Sequence, residues 1–153
     1  MKVGNSNFYF EINEMELKQK LVPLQIVISG NVLGTLDDTT YLPSLLSSLE
    51  LILKETYYYD ESINCNNYKS RFFLNGDFCS GYRITLEDSF DDFIKRCARN
   101  DKKVFSLGNL MMMLFLTMKR LMEMMFFSSI DLVDFISILE KLKEWYRNNV
   151  GEY

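Results

Sequence analysis

The sequence predicts an α+β fold: a mainly antiparallel sheet packed by helices, in a single domain spanning residues 1–153. Three observations carry this. Phe8, Phe10 and Ile12 alternate with Tyr9, Glu11 and Asn13. Two apolar runs flank Gly30-Asn31, and apolar residues recur at helical spacing from Leu42 and again from Leu132. A chain of 153 residues, 48% apolar and 25% charged, matches an average globular domain and is long enough to bury a sizeable core.

In chain order, Asn7 to Glu14 is a half-buried strand by its alternation. Leu24 to Ser29 is a second, rich in β-branched residues, and Gly30-Asn31 turns it into Val32-Leu33-Gly34, so Leu24 to Leu36 forms a hairpin. Asp37-Asp38-Thr39-Thr40 supplies helix-capping side chains, and Pro43 suits a first helical turn. Leu42, Leu45, Leu46, Leu49, Ile52 and Leu53 then line a helix reaching Lys54 and Glu55. Tyr57 to Asn67 is polar and aromatic and reads as a loop. Tyr68 to Leu74 and Tyr82 to Leu86 read as short strands around the turn-forming Asn75-Gly76-Asp77.

Between Ser89 and Asn100 the signals compete. Phe90, Phe93, Ile94, Cys97 and Ala98 recur at helical spacing, with acids before bases, and favour a helix. Lys103 to Leu107 reads as a strand. Leu110 to Phe127 fits one helix or a buried strand running into a loop, because a short apolar run has no distinguishing period. Ser128-Ser129 signals an N-cap. Leu132, Phe135, Ile136, Leu139, Leu142, Trp145 and Tyr146 then form a stripe, with Asp131 and Asp134 early and Lys141, Lys143 and Arg147 late, as a helix dipole favours; Asn148-Asn149 ends the helix.

Composition excludes several function classes. There are 17 Lys and Arg against 21 Asp and Glu, a net charge of −4, and no histidine. Without imidazole there is no Ser-His-Asp or Cys-His nucleophile, no histidine-ligated zinc and no ordinary base near neutral pH. The glycines form neither GxGxxG nor GxxxxGK(S/T), and no serine stands in G-x-S-x-G. The expectation is a protein that is not an enzyme and holds neither cofactor nor metal. Cys65, Cys79 and Cys97 are odd in number and widely spaced, and read as three reduced, mostly buried thiols. Acidic balance opposes nucleic acid and anionic membranes as partners and favours a basic protein. The N-terminal residues have no signal-peptide hydrophobic stretch. The longest uncharged apolar run, Leu110 to Met118, falls well short of the roughly 20 residues a membrane helix needs. These features predict a soluble, cytoplasmic protein, monomeric or weakly dimeric.

Charge is unevenly distributed. Asp37, Asp38, Glu50, Glu55, Asp60 and Glu61 stand against Lys54 alone, and Glu87, Asp88, Asp91 and Asp92 against no base. Lys95, Arg96, Arg99, Lys102 and Lys103 reverse the sign around Asp101 and read as a solvated basic face. The adjacent carboxylates lack a third ligand type and read as caps, solvated acids or an acidic surface for a partner. Seven of nine methionines cluster between Met111 and Met125 and read as gap-filling core. Tyr57-Tyr58-Tyr59 beside Asp60-Glu61 is the more suggestive patch, since three consecutive tyrosines do not all bury in one regular element and tyrosine is enriched at interface hot spots. The candidate partner-binding residues are therefore Asp37, Asp38, Tyr57, Tyr58, Tyr59, Asp60, Glu61, Asp88, Asp91 and Asp92.

The run PLQIVISGNVLGTLDDTTYLPSLLSSLELIL, Pro23 to Leu53, joins a small hairpin, a Leu-Gly-x-Leu-Asp-Asp step and a Tyr-Leu-led helix. Followed by YRITLEDSFDDFIKR, Tyr82 to Arg96, and a C-terminal amphipathic helix, it resembles the bacterial immunity proteins that protect against polymorphic or contact-dependent growth-inhibition toxins, the CdiI type. The resemblance implies a non-enzymatic cytoplasmic inhibitor that binds the C-terminal toxin domain delivered by a neighbouring cell. Such toxins are often basic nucleases, which an acidic surface complements, speeding encounter and setting partner choice. It also implies a strand at SFDDF, where the residue period favours a helix. It carries over no binding site, because toxin-facing residues differ from member to member. Two alternatives remain: an adaptor that binds an endogenous cellular protein, and an enzyme built on the carboxylate pairs.

Overall fold

The computed structural model describes residues 1–16, 20–90, 93–110 and 125–151. In chain order the strands and helices are β1 (Lys2–Gly4), β2 (Phe8–Ile12), β3 (Leu21–Val22), β4 (Leu24–Ile28), β5 (Asn31–Leu33), β6 (Thr40–Tyr41), α1 (Leu42–Lys54), α2 (Tyr68–Phe72), β7 (Phe73–Leu74), β8 (Asp77–Phe78), β9 (Phe93–Arg99), β10 (Lys103–Leu110), β11 (Met125–Asp131) and α3 (Leu132–Asn149). Short 3-10 turns occupy Glu14–Glu16, Thr56–Tyr58 and Asp88–Phe90. The architecture is α+β, as the sequence predicts. A four-stranded antiparallel sheet, ordered β1-β2-β4-β5, and a three-stranded antiparallel sheet, β11-β10-β9, are accompanied by the pairs β3-β6 and β7-β8.

The inner faces of the two larger sheets meet α1 and α3 in one core. Phe8, Phe10 and Ile12 of β2, Leu42, Leu45, Leu46, Leu49 and Ile52 of α1, and Phe135, Ile138, Leu139, Leu142 and Tyr146 of α3 are all buried there. Phe8 and Phe135 stack with ring centroids 5.7 Å apart. Glu50 ties α1 to α3: it pairs with Lys54 and accepts a 2.6 Å contact from Lys143, which lowers its pKa. The opposite face of the three-stranded sheet carries a second core of Ile63, Tyr68, Phe72, Ala98, Phe105 and Leu107.

Several local expectations are corrected. The hairpin between β4 and β5 turns at Ser29-Gly30, with φ of 50° and 81°, one residue earlier than Gly30-Asn31. Asn31 starts β5 and its side-chain amide donates to the Ile28 carbonyl at 3.3 Å. Two consecutive left-handed residues are what a twisted two-residue hairpin demands. Asp37 and Asp38 do not cap α1, whose N-cap is Tyr41 without a side-chain bond; the chain between them and the helix is used by β6 instead. Ser128 and Ser129 belong to β11, and Asp131 is the N-cap of α3. Tyr68–Phe72 is a short helix, because Tyr68 and Phe72, four residues apart, both enter the second core. Residues 82–86 form only a bridge, Arg83 to Arg96.

Of the competing segment Ser89 to Asn100, Phe93–Arg99 is the strand β9, against the helical period. Of SFDDF, Ser89 and Phe90 lie in the 3-10 turn instead of a strand, Asp91 and Asp92 lie outside the described residues, and Phe93 opens β9. Cys97 faces the first core and Ala98 the second, so both faces of this strand are covered and no clean alternation survives in its sequence. Of the run Leu110 to Phe127, both described ends are strand: Leu110 closes β10, and Met125–Phe127 opens β11. Residues 111–124, with six of the clustered methionines, lie outside the described residues; Met125 is half-buried against the second core. Of the cysteines Cys97 alone is buried, its thiol pushed up to about 12 by desolvation, whereas Cys65 is exposed and Cys79 intermediate.

Candidate functional site

The described residues among those expected to face a partner fall into two groups at the two ends of β9, a seven-residue strand and therefore about 20 Å long. At the C-terminal end, residues 57–62 lie along the outer edge of β9. Tyr59 forms a parallel bridge to Arg99, and the Asp60 amide donates to the Arg99 carbonyl at 2.9 Å. Arg99 holds this arrangement together. Its Nε and Nη2 donate to the Ile52 and Leu53 carbonyls, both at 2.8 Å, placing a cation on the negative end of α1. The same guanidinium lies 5.0 Å from the Tyr59 ring centroid.

Each tyrosine hydroxyl in this segment has a partner. Tyr57 accepts from the Arg83 amide at 3.0 Å, Tyr58 donates to the Arg83 carbonyl at 3.3 Å, and Tyr59 donates to Asp101 at 3.1 Å. The bond to Asp101 raises the Tyr59 pKa, and burial raises that of Tyr58. Tyr57 remains 50% exposed, so its ring is open to contact while its hydroxyl is already placed. Asp60 accepts from the Ser62 amide at 2.9 Å and hydroxyl at 2.6 Å, an Asx turn, and from the Tyr82 hydroxyl at 2.8 Å. The Ser62 hydrogen bond leads in lowering its pKa. Glu61 is exposed on the wall of a depression of about 230 Å³, shared with Ile63, Asn64, Asn100, Asp101 and Lys102.

At the N-terminal end, the loop after β5 meets the Asp88–Phe90 turn. The Thr40 and Ser89 hydroxyls are 2.7 Å apart. A β-carbon at Gly34, whose φ is 83°, would stand 2.6 Å from the Phe90 ring, so only glycine permits this approach. Asp37, Asp38 and Asp88 are exposed around that junction. The Asp37 amide donates to Thr35 Oγ1 and the Asp38 carboxylate accepts from the Thr39 amide, but none of the three carboxylates makes an ion pair among the described residues. Asp91 and Asp92 lie outside the described residues.

The basic stretch is not the solvated face expected of it. Lys95 is 8% exposed, its ammonium donating to the Phe90 carbonyl; Arg96 is half-buried, and Arg99 is spent on α1. Lys103 pairs with Asp131 at 2.6 Å, and Lys102 is exposed. The spacing Lys95-x-Cys97-x-Arg99 is the signal that could have revealed this, since on a strand it places all three on one face. Arg83, Arg96 and Tyr82 organise the edge of β9 and were outside the candidate set. Among the described residues no three Cys, Asp or Glu side chains gather in a metal-holding group, and no helix is long and apolar enough to cross a membrane.

No protein-family model and no curated protein sequence matches the chain. Among solved structures it is similar to CdiI from Burkholderia dolosa, with a TM-score of 0.55 and 13% identity, over 93% of this chain and 97% of that one. At that identity the likeness is one of fold: the chain has a CdiI-like α+β fold.

Proposed function

We propose, from this CdiI-like fold, that the chain is an immunity protein, a single domain over residues 1–153 that binds and neutralises a cognate toxin C-terminal domain in the cytoplasm. The observation that carries the reading is the extent of the fold likeness, which covers nearly the whole of both chains. The surface supports it: Asp37, Asp38, Glu61 and Asp88 are exposed and ion-unpaired among the described residues, leaving negative potential to meet a basic nuclease. Neutralisation is by occlusion or distortion of the toxin site, with no chemistry performed by this chain. Tyr57, Tyr58, Tyr59 and Asp60, held rigid by their hydrogen bonds, are the short-range contacts, and Asp91 and Asp92 are further candidate contacts by their charge.

Co-expression with the C-terminal domain of an adjacent large toxin gene tests the reading. The two products are expected to co-purify, and cells making the toxin domain to survive only with this chain present. Growth arrest despite its presence, with no complex on a sizing column, overturns the proposal.

A further inference from the structure

Two arginines stand opposite each other at the outer edge of β9, across the isolated antiparallel bridge between Arg83 and Arg96. Residues paired in this way point to one side with β-carbons about 5 Å apart, and like charges there repel. Among the described residues neither guanidinium has a carboxylate within ion-pair distance. Arg96 is held firmly: Nε donates to the Cys79 carbonyl at 3.1 Å, Nη1 to the Lys95 carbonyl at 3.0 Å, and the guanidinium lies 5.6 Å from the Phe78 ring centroid. Among the described residues its Nη2 makes no hydrogen bond. Burial first, and then the Arg83 charge, lower its pKa.

Among the described residues Arg83 bonds through its backbone alone, donating to the Tyr57 hydroxyl and accepting from that of Tyr58, and its side chain is exposed. The Tyr57 hydroxyl, having accepted from the Arg83 amide, keeps its own proton to donate. Beyond the two carbonyls that hold Arg96, the spot therefore gathers hydrogen-bond donors and positive charge with no carboxylate paired to them among the described residues.

We propose that Arg83, Arg96 and the Tyr57 hydroxyl form a seat for a carboxylate side chain presented by a partner protein. A carboxylate is planar, accepts only, and matches the guanidinium fork in two parallel bonds. Its charge cancels the repulsion between the two arginines and replaces the hydration that Arg96 has lost. A nucleic-acid strand is disfavoured by the chain's net charge of −4. Arginine and tyrosine dominate interface hot spots, and a side chain already fixed costs little to order on binding. The seat stands on this geometry and is independent of the immunity reading.

Titration of the 15N-labelled full chain with N-acetylglutamate, at constant ionic strength, tests it through the arginine Nε–Hε resonances. The Arg96 resonance is expected to shift saturably. Arg83→Gln is expected to weaken that binding at least tenfold, Arg83→Lys less, and Tyr57→Phe severalfold. Without ligand, Arg83→Gln should raise the thermal midpoint, because it relieves repulsion and removes no side-chain hydrogen bond or ion pair among the described residues. A linear, unsaturable shift, equal binding by Arg83→Gln, or a lowered midpoint in that variant overturns the seat. Inorganic phosphate is the second probe; saturation with phosphate and not with N-acetylglutamate overturns the carboxylate assignment.

Discussion

The two ends of β9 present their candidate contact residues in opposite states. At the C-terminal end, Tyr57, Tyr58, Tyr59 and Asp60 are joined by hydrogen bonds to Arg83, Asp101, Ser62 and Tyr82, and Arg99 ties the segment to the end of α1. At the N-terminal end, Asp37, Asp38 and Asp88 stand in solvent without ion pairs among the described residues. The first group is part of the folded structure, so any partner meets a surface whose ordering has already been met during folding. The second contributes little to folding and acts at range, through its field. Substitution should therefore separate the two ends, with stability lost at one and association rate at the other.

The largest effect is expected from Arg99→Ala. It strips two charge-assisted bonds from the α1 carbonyls and the cation beside the Tyr59 ring, and should cost about 3 kcal/mol in urea unfolding. Amide exchange at residues 57–62 should accelerate with it; a loss below about 0.5 kcal/mol would break the distinction between the two ends.

Asp60→Asn comes next, at about 1–2 kcal/mol at neutral pH, for the weakened Ser62 and Tyr82 bonds. Because the folded-state pKa of Asp60 is lowered, its contribution is complete above the unfolded carboxylate value of about 3.9 and is lost as pH falls through the folded value. The stability gap between the native chain and the variant should therefore close on acidification, and a gap independent of pH would show that the charge on Asp60 is not what matters. Tyr57→Phe should cost about 1 kcal/mol or less, for one bond from the Arg83 amide at a half-exposed site.

The smallest stability effect belongs to the acidic end. Replacing Asp37 and Asp38 together by Asn should leave unfolding within about 0.5 kcal/mol of the native chain. Association with the toxin domain should instead slow severalfold at low salt, an effect that fades as ionic strength rises. A salt-insensitive change in the dissociation rate would move these residues from steering to direct contact.

Where the sequence was legible, one face of an element was buried and the other wet. Phe8, Phe10 and Ile12 are buried and Tyr9 and Glu11 are not, and α1 and α3 keep their apolar stripes on the core side, except that Ile136 is exposed and Ile138 takes its place in the core. Legibility failed where an element is covered on both sides or is too short to have a period. β9 carries Cys97 into one core and Ala98 into the other, so its apolar spacing imitates a helix. Tyr68–Phe72 is a helix because two rings four residues apart fit one pocket of aromatic neighbours, among them Phe105, 5.1 Å from Tyr68.

Composition and the order of residues by themselves determined the fold class, the two long helices, the hairpin of β4 and β5, and the clustering of acids in two stretches. These are local quantities, set by period, turn chemistry and charge along the chain. Only the tertiary structure decided which charges are spent. It buried Lys95, bound Arg99 to the end of α1, brought Arg83 against Arg96 from thirteen residues away, and left Asp37, Asp38 and Asp88 in water. A charge is neutralised by what folding brings beside it, and sequence spacing does not record that distance.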